Sequence, residues 1–484
     1  MRVILPRLRP LGVLTVLLAG VSARLQERSM NNTCKAISEA ISSASHVWFP
    51  LSIQYTKDVE HWATSSADIA ACSVEPGTAE DVGIILQILA SSQTPFAVKG
   101  GGHTTNPGFS STPGVQIAMF RFSEVNYDAE AQTVDVGAGL VWDDVYAALE
   151  PFGVNVVGGR VTGVGVAGFS LGGGYSWLTN EHGLTVDNIV AYQLVLPNGT
   201  AITVDETVPD LFFALKGIVT RFTFKTYPQG QVWGGLITYT ANELDAVNDA
   251  TFKFSSNVTD PKAQIITTYN FVLGEPGVSQ LLFYNGPTPP AGVFDDFLAI
   301  PHFTEDVSTR SFSSLVKSSP ANATAGTRGV FNTVSLLSYD ETMLKAVVNE
   351  TTFWGSRLSL ASATFISYDV EPFLPTLFNN ALASSAAYPP SRAQGLLPLN
   401  IYFAWLLPAS DELMREAVVR SAQQLTDVAI AQGQDIGNAA LYGNYAIDST
   451  PLERLFGDNL DQLKATKQKY DPQNVMGLAG GWKL

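Results

Sequence analysis

The chain has 484 residues, of which 46% are hydrophobic and 15% charged, and its formal net charge is −16. That composition is globular, not disordered, and the length suffices for two or three domains. Only 28 lysines and arginines stand against 44 acidic residues, which argues against a nucleic-acid partner because phosphate backbones need clustered cations.

Arg2, Arg7 and Arg9 precede the apolar run LGVLTVLLAGVSA, which ends in the small residues Ser22 and Ala23. A basic start, a short apolar core and a small-residue end predict a secretory signal over 1–23 and a secreted product starting near Arg24. The run is too short to span a bilayer, and no later segment is long and apolar enough to do so. An N-terminal arm over 24–56 follows. Cys34 and Cys72 are the only cysteines, and an oxidising compartment would join them. Closing that loop of about 40 residues would contribute roughly 3–4 kcal/mol in the chain-entropy model. Sequons at Asn31, Asn198, Asn257, Asn322 and Asn349 are consistent with glycosylation.

Thr78 followed by Asp81 predicts a helix start, continued by Val82, Ile85, Leu86 and Leu89. A strand at FAVKG leads into the turn GGGH, Gly100–Gly101–Gly102–His103. Strands at VQIAM and QTVDVGAG and a helix at VWDDVYAALEPF follow. Pro197–Asn198–Gly199 predicts a hairpin between two strands. From about Val232 the glycine-rich texture ends, and strands alternate with helical stretches, as in an antiparallel sheet backed by helices. The tail LERLFGDNLDQLKATKQKY reads as one helix ending before Asp471–Pro472.

The second glycine cluster runs from Val156 to Trp177 and contains Gly158, Gly163, Gly168 and Gly173. Within it GVGVAG matches G-x-G-x-x-G, with Asp187 about 20 positions on, as a dinucleotide fingerprint requires. Yet a helix starting there would run into Gly172–Gly173–Gly174, and each interior glycine costs about 1 kcal/mol relative to alanine. An extended glycine-rich loop lying along a cofactor is the preferred reading. No metal-binding spacing and no nucleophile-elbow order is present.

The segments KGGGH, GGRVTGVGVAGFSLGGGYSWLTNEHGLTVDNIVAYQLVLPNG, YGNYA and KYDPQNVM resemble the FAD-linked oxidoreductases of the berberine-bridge-enzyme-like family. That resemblance spans nearly all of the mature chain and keeps the motif order. It implies an α+β fold: a two-lobed FAD-binding domain of the vanillyl-alcohol-oxidase/PCMH type, and an α+β substrate domain with a large antiparallel sheet. The implied boundaries are 57–229 and 440–484 for the FAD domain and 230–439 for the substrate domain.

The resemblance also assigns roles. Gly100, Gly101 and Gly102 would let main-chain donors reach the FAD pyrophosphate, and His103 would tether the flavin. Val161 stands where many relatives carry a second, cysteine tether, so a single covalent bond is expected. Val164 aligns with a gatekeeper beside the flavin, where valine goes with access of O2. Gly183–Ile189, with Asp187 and Ile189, resembles the segment holding the adenine end. Tyr442 is the candidate acid/base residue, with Asn444 and Asn474 near the cofactor and Tyr402, Trp405 and Tyr175 as further pocket residues.

The chain departs from the family after Lys216, where a GGGNNF-type run is missing before Gly217. A compensated loop, a misjoined sequence or a chain that holds flavin poorly all remain open. The expectation is a secreted, monomeric oxidase passing a hydride from an alcohol, carbohydrate or secondary-metabolite substrate to FAD, and then electrons to O2. The alternatives are an FAD dehydrogenase with another acceptor and a silent binding protein on the same scaffold.

Overall fold

The computed structural model describes residues 28–379 and 386–484. The expected signal segment and the first residues of the arm lie outside them. The described chain opens in a helix running to residue 40, and Cys34 on it is bonded to Cys72.

Three sheets carry the architecture. The first has four strands in the order His46–Trp48, Cys72–Glu75, Val115–Ala118 and Phe96–Lys99. The helix Ala79–Ser92 links its second strand to the fourth, and the Thr78 side chain accepts the Asp81 N–H to cap it. Phe96–Lys99 pairs in parallel with Val115–Ala118, which fixes where the glycine turn emerges. The second sheet has five antiparallel strands ordered Val125–Asp128, Thr133–Gly137, Ile218–Lys225, Ile189–Val195 and Ala201–Val204. Its last pair is joined by the expected hairpin, with Gly199 at φ +89.

The third sheet has seven antiparallel strands: Thr304–Arg310, Val232–Thr240, Glu275–Tyr284, Ala263–Val272, Ala363–Val370, Leu397–Trp405 and Arg328–Leu336. The helices Glu341–Leu358 and Asp411–Ala431 pack on one face, burying Tyr368, Ile401 and Phe403 there. Period-2 alternation sends Asp369, Asn400 and Thr333 to the other face, where they form one cross-strand row with Thr268. A second row is Asn270, Ser367, Tyr402 and Phe331. This polar face positions the site.

Two sequence expectations need correction. The glycine cluster is not extended throughout, because Val166–Leu171 forms a short helix that stops at the glycines 172–174. The terminal helix is two helices, Glu453–Phe456 and Leu460–Tyr470, broken at Gly457 with φ +45.

The shortened connection after Lys216 is closed. The helix Pro209–Phe213 ends, and the strand Ile218–Lys225 still pairs on both sides. Gly217, at φ +146, lets the chain pass against the Val195 carbonyl, where a Cβ would collide. Lys216 is held at the turn with its pKa lowered to about 8 by burial and by Lys467.

Candidate active site

The site forms where the glycine turn after Phe96–Lys99 meets the polar face of the seven-stranded sheet. Phe331 N–H donates to Thr105 Oγ1 at 3.0 Å, and Asn106 binds Ala446 and Asp448 of the C-terminal segment. Three distant stretches are thereby locked together.

Among the described residues, the main-chain N–H groups of Gly100, Gly101, Gly102 and His103 have no hydrogen-bond acceptor. Consecutive free donors on a glycine turn make an anion-binding concavity. Gly102 has φ +71, a conformation that favours glycine. Gly101 is bare for a second reason: a Cβ there would lie 2.6 Å from the backbone of Gly165.

His103 is stacked on Trp62, with ring centroids 4.4 Å apart, and Phe331 lies parallel at 6.4 Å. Its Nε2 is buried and has no hydrogen-bond partner among the described residues. Burial lowers the imidazole pKa to about 4, so the ring is neutral at physiological pH and keeps a lone pair.

A second cluster lies beside it. Tyr442 is 1% exposed, and its hydroxyl accepts from Asn444 Nδ2 at 2.8 Å. Burial pushes its pKa up to about 12, against the lowering effect of Asn444 and Arg160. Asn444 also donates to the Phe169 carbonyl at 3.0 Å, tying the YGNYA turn to the helix Val166–Leu171. Tyr445 donates to Glu371 Oε1 at 3.0 Å and accepts from Arg160 Nη2 at 2.9 Å. Arg160 Nη2 lies 2.7 Å from Glu371 Oε2. Burial raises Glu371 to about 7 although Arg160 opposes the shift, and it raises Asp369 to about 6. Burial disfavours the Arg160 charge, and Glu371 outweighs that and keeps it protonated.

The remaining expected residues are spread along the same surfaces. Gly158 packs on Trp142 and Tyr146, where a Cβ would come within 2.5 Å of the Tyr146 hydroxyl. Gly163, at φ +85, donates its N–H to Asp143. The Val164 carbonyl accepts from Trp142 N–H. Gly168 has open space around it, and Gly173 at φ +110 faces Tyr388. Asp187 is engaged already: Arg392 pairs with both its oxygens at 2.5 and 2.9 Å, and Leu184 N–H donates to it. Ile189 is a buried strand residue. Asn474, at φ +55, starts the turn Val475–Leu478, with its side chain beside Gly477. Tyr175 packs edge-on against Tyr442 at 4.9 Å, and Tyr402 lies near Trp62 and Phe331. Trp405 binds Asp411.

Sequence reasoning missed Trp62, Arg160, Phe331, Asp369 and Glu371. Arg160 had a signal: it is the only charged residue in the glycine-rich run from Val156 to Trp177. The others are ordinary strand or loop residues until the sheets are assembled.

Comparison with known proteins accords with this geometry. Residues 70–205 match the family model for an FAD binding domain, and residues 441–479 match the model described as berberine and berberine like. The FAD-dependent monooxygenase drtC of Aspergillus calidoustus is 31% identical over 450 residues, spanning 88% of this chain and 84% of that protein. An uncharacterized FAD-linked oxidoreductase of Arthroderma benhamiae is 36% identical over 281 residues, or 55% of this chain and 56% of that one. Among solved structures, the wild-type BBE-like 1 protein of Physcomitrella patens aligns with a TM-score of 0.74 at 21% identity, covering 92% of this chain and 97% of that chain. The glucooligosaccharide oxidase of Acremonium strictum, described with a 6-S-cysteinyl, 8α-N1-histidyl FAD, aligns at 0.72 with 19% identity, covering 92% and 97%.

The fold and the site define an FAD-dependent oxidoreductase with a PCMH-type FAD-binding domain. The chain belongs to the berberine-bridge-enzyme-like family. The free donors at Gly100–His103 and the unpartnered His103 Nε2 fit an FAD, the donors suiting a pyrophosphate and the imidazole a tether. Among the described residues no helix is long and apolar enough to cross a membrane, and no group of three or more His, Cys, Asp or Glu could hold a metal.

Proposed function

We propose that this chain is an exported oxidase that oxidises a small organic substrate with FAD held through His103. FAD, when bound, would supply a two-electron acceptor that O2 can reoxidise. The observation that carries the reading is the half-buried, neutral imidazole, its Nε2 buried, beside four free main-chain donors.

The chain's own residues divide the remaining work. Gly100, Gly101 and Gly102 hold the pyrophosphate, and His103 forms the only covalent tether, since Val161 has no nucleophile. The polar sheet face with Ser367, Asp369 and Asn400 orients the substrate. Tyr442, steadied by Asn444, holds the proton of the reacting group, and Glu371 is the carboxylate that accepts it. The aromatic wall of Trp62, Phe331 and Tyr402 keeps water from the imidazole.

Intact-mass measurement of the denatured, purified chain tests the tether. An added mass equal to one FAD, mapped to the peptide beginning after Lys99, is the expected result. Colourless protein of unmodified mass overturns the reading in favour of a silent scaffold disabled by the short Lys216–Gly217 connection.

Monooxygenation is the second reading, favoured by the name of the Aspergillus calidoustus relative. Peroxide released in proportion to substrate consumed supports the oxidase. Labelled oxygen appearing in the product supports the monooxygenase.

A further inference from the structure

Lys99 ends the strand Phe96–Lys99 and stands directly ahead of the Gly100–His103 turn. Its side chain stays inside the protein, folded back against that turn, and the residue is 4% exposed. A Cβ built on Gly102 would lie 2.7 Å from Lys99 Cε, so the end of the lysine stem packs on the turn's backbone. Nζ donates to the Lys57 carbonyl at 2.9 Å and lies 5.0 Å from the centre of the Phe120 ring. Among the described residues it forms no ion pair.

The charged groups around it come from the helix Ile53–Val59 and the residues just after it. Asp58 and Glu60 attract the ammonium without touching it, and His61 lies near enough to feel its charge. Asp58 is already committed: it accepts from Ser73 Oγ at 2.5 Å and from Gln54, which also donates to Glu75. One carbonyl is poor compensation for a buried ammonium with three donor hydrogens, and burial lowers its pKa to about 8. A cation kept in such a place, against a turn with four free N–H groups, calls for a negative ligand at that turn.

We infer that the Lys99 ammonium is the fixed counter-charge for the FAD pyrophosphate, the charge that makes the glycine turn select a diphosphate. The inference deepens the FAD reading and rests on it. Main-chain N–H groups serve any acceptor oxygen, whereas a full charge held by the fold favours an anion several ångströms away. Lys99 is therefore a positioning residue that acts on the cofactor through space. Seating the pyrophosphate strengthens the hold of Lys99 on its proton, so FAD binds most tightly below pH 8 and more weakly as the pH rises beyond it. Neither neighbour titrates in that range: burial raises Asp58 only to about 6 and holds His61 below the usual imidazole value.

Phosphorus NMR of the flavin-loaded chain reads the pyrophosphate directly, because a pyrophosphate diester has no titration of its own at alkaline pH. The expected result is phosphorus signals that shift as the pH rises above 8 and stay fixed in Lys99→Met, which keeps an unbranched stem. Affinity is read in the untethered His103→Ala background, from the flavin fluorescence recovered when loaded protein is diluted. Adding Lys99→Met there should weaken FAD binding about 10- to 100-fold at neutral pH, with the gap closing above pH 8. Riboflavin, which has the ring but no pyrophosphate, should bind both proteins alike. Equal FAD affinity overturns the inference, as does a loss that extends to riboflavin or ignores pH. If the double variant does not load, the parent decides: static phosphorus signals from pH 8 to about pH 10 in a yellow parent overturn the inference alone. A colourless parent overturns the FAD reading itself.

Discussion

Gly101 and Gly165 touch backbone to backbone: a Cβ on either would lie about 2.5 to 2.6 Å from main-chain atoms of the other. The two glycine clusters, far apart in sequence, are therefore one construction in which the His103 turn rests against the start of the helix Val166–Leu171.

Gly101→Ala should accordingly cost roughly 1–3 kcal/mol, the usual penalty for overpacking, and should lower flavin content, because neither backbone can move aside. Gly168→Ala is the contrasting case. It lies within the helix in open space, and should be neutral or stabilising by about 0.4–1 kcal/mol. Thermal unfolding of the two variants reads the difference directly.

His103→Ala removes the proposed tether without disturbing the glycine backbone. Flavin should remain with the native variant, then separate from the protein on acid precipitation, while parent flavin stays in the pellet. Flavin released from the parent by the same treatment is the outcome that contradicts the tether.

Glu371 makes stability depend on pH with a definite sign. Its folded pKa is raised from 4.5 to about 7 by burial, so the native state binds more protons than the unfolded chain between those values. Stability should therefore fall as pH rises from about 4.5 to about 7. Asp369, raised from 3.8 to about 6, adds to the same trend in its own window. Chemical denaturation across this range should show a flatter profile for Glu371→Gln.

Removing the charge of Glu371 by truncation is a harsher test. Glu371→Ala leaves Arg160 buried without its counter-ion and should destabilise by about 3–5 kcal/mol.

Tyr442→Phe keeps the ring packed against Tyr175 and Tyr445 but deletes the hydroxyl that Asn444 binds. Turnover should drop by about 10²- to 10⁴-fold if the hydroxyl handles a proton in the reaction. Flavin content and KM should change little. An unchanged kcat would reduce Tyr442 to a wall of the site.

Much of this was legible before any coordinates. The Thr78 cap, the strand into GGGH and the hairpin at Asn198–Gly199 are local signals, and each appears where its residues indicate. Glycine runs are weaker signals. Gly172–Gly173–Gly174 argued against a helix, yet six residues before them coil into one because its length stops short of the glycines. Gly457 broke a helix that periodicity alone continues, since its φ of +45 lies in the left-handed region.

The sequence by itself pointed to the family only through motifs that resemble it, whereas the glycine turn presenting His103 and the antiparallel character of the sheet after Val232 depend on residue type and short-range spacing. Only the tertiary structure decided that Arg160, Glu371, Tyr445 and Asp369 share one cluster, and that Asp187 is occupied by Arg392. Those pairings join residues as far apart in sequence as 160 and 445. They arise from strand register and from burial that shifts each group's charge, neither of which any local pattern encodes.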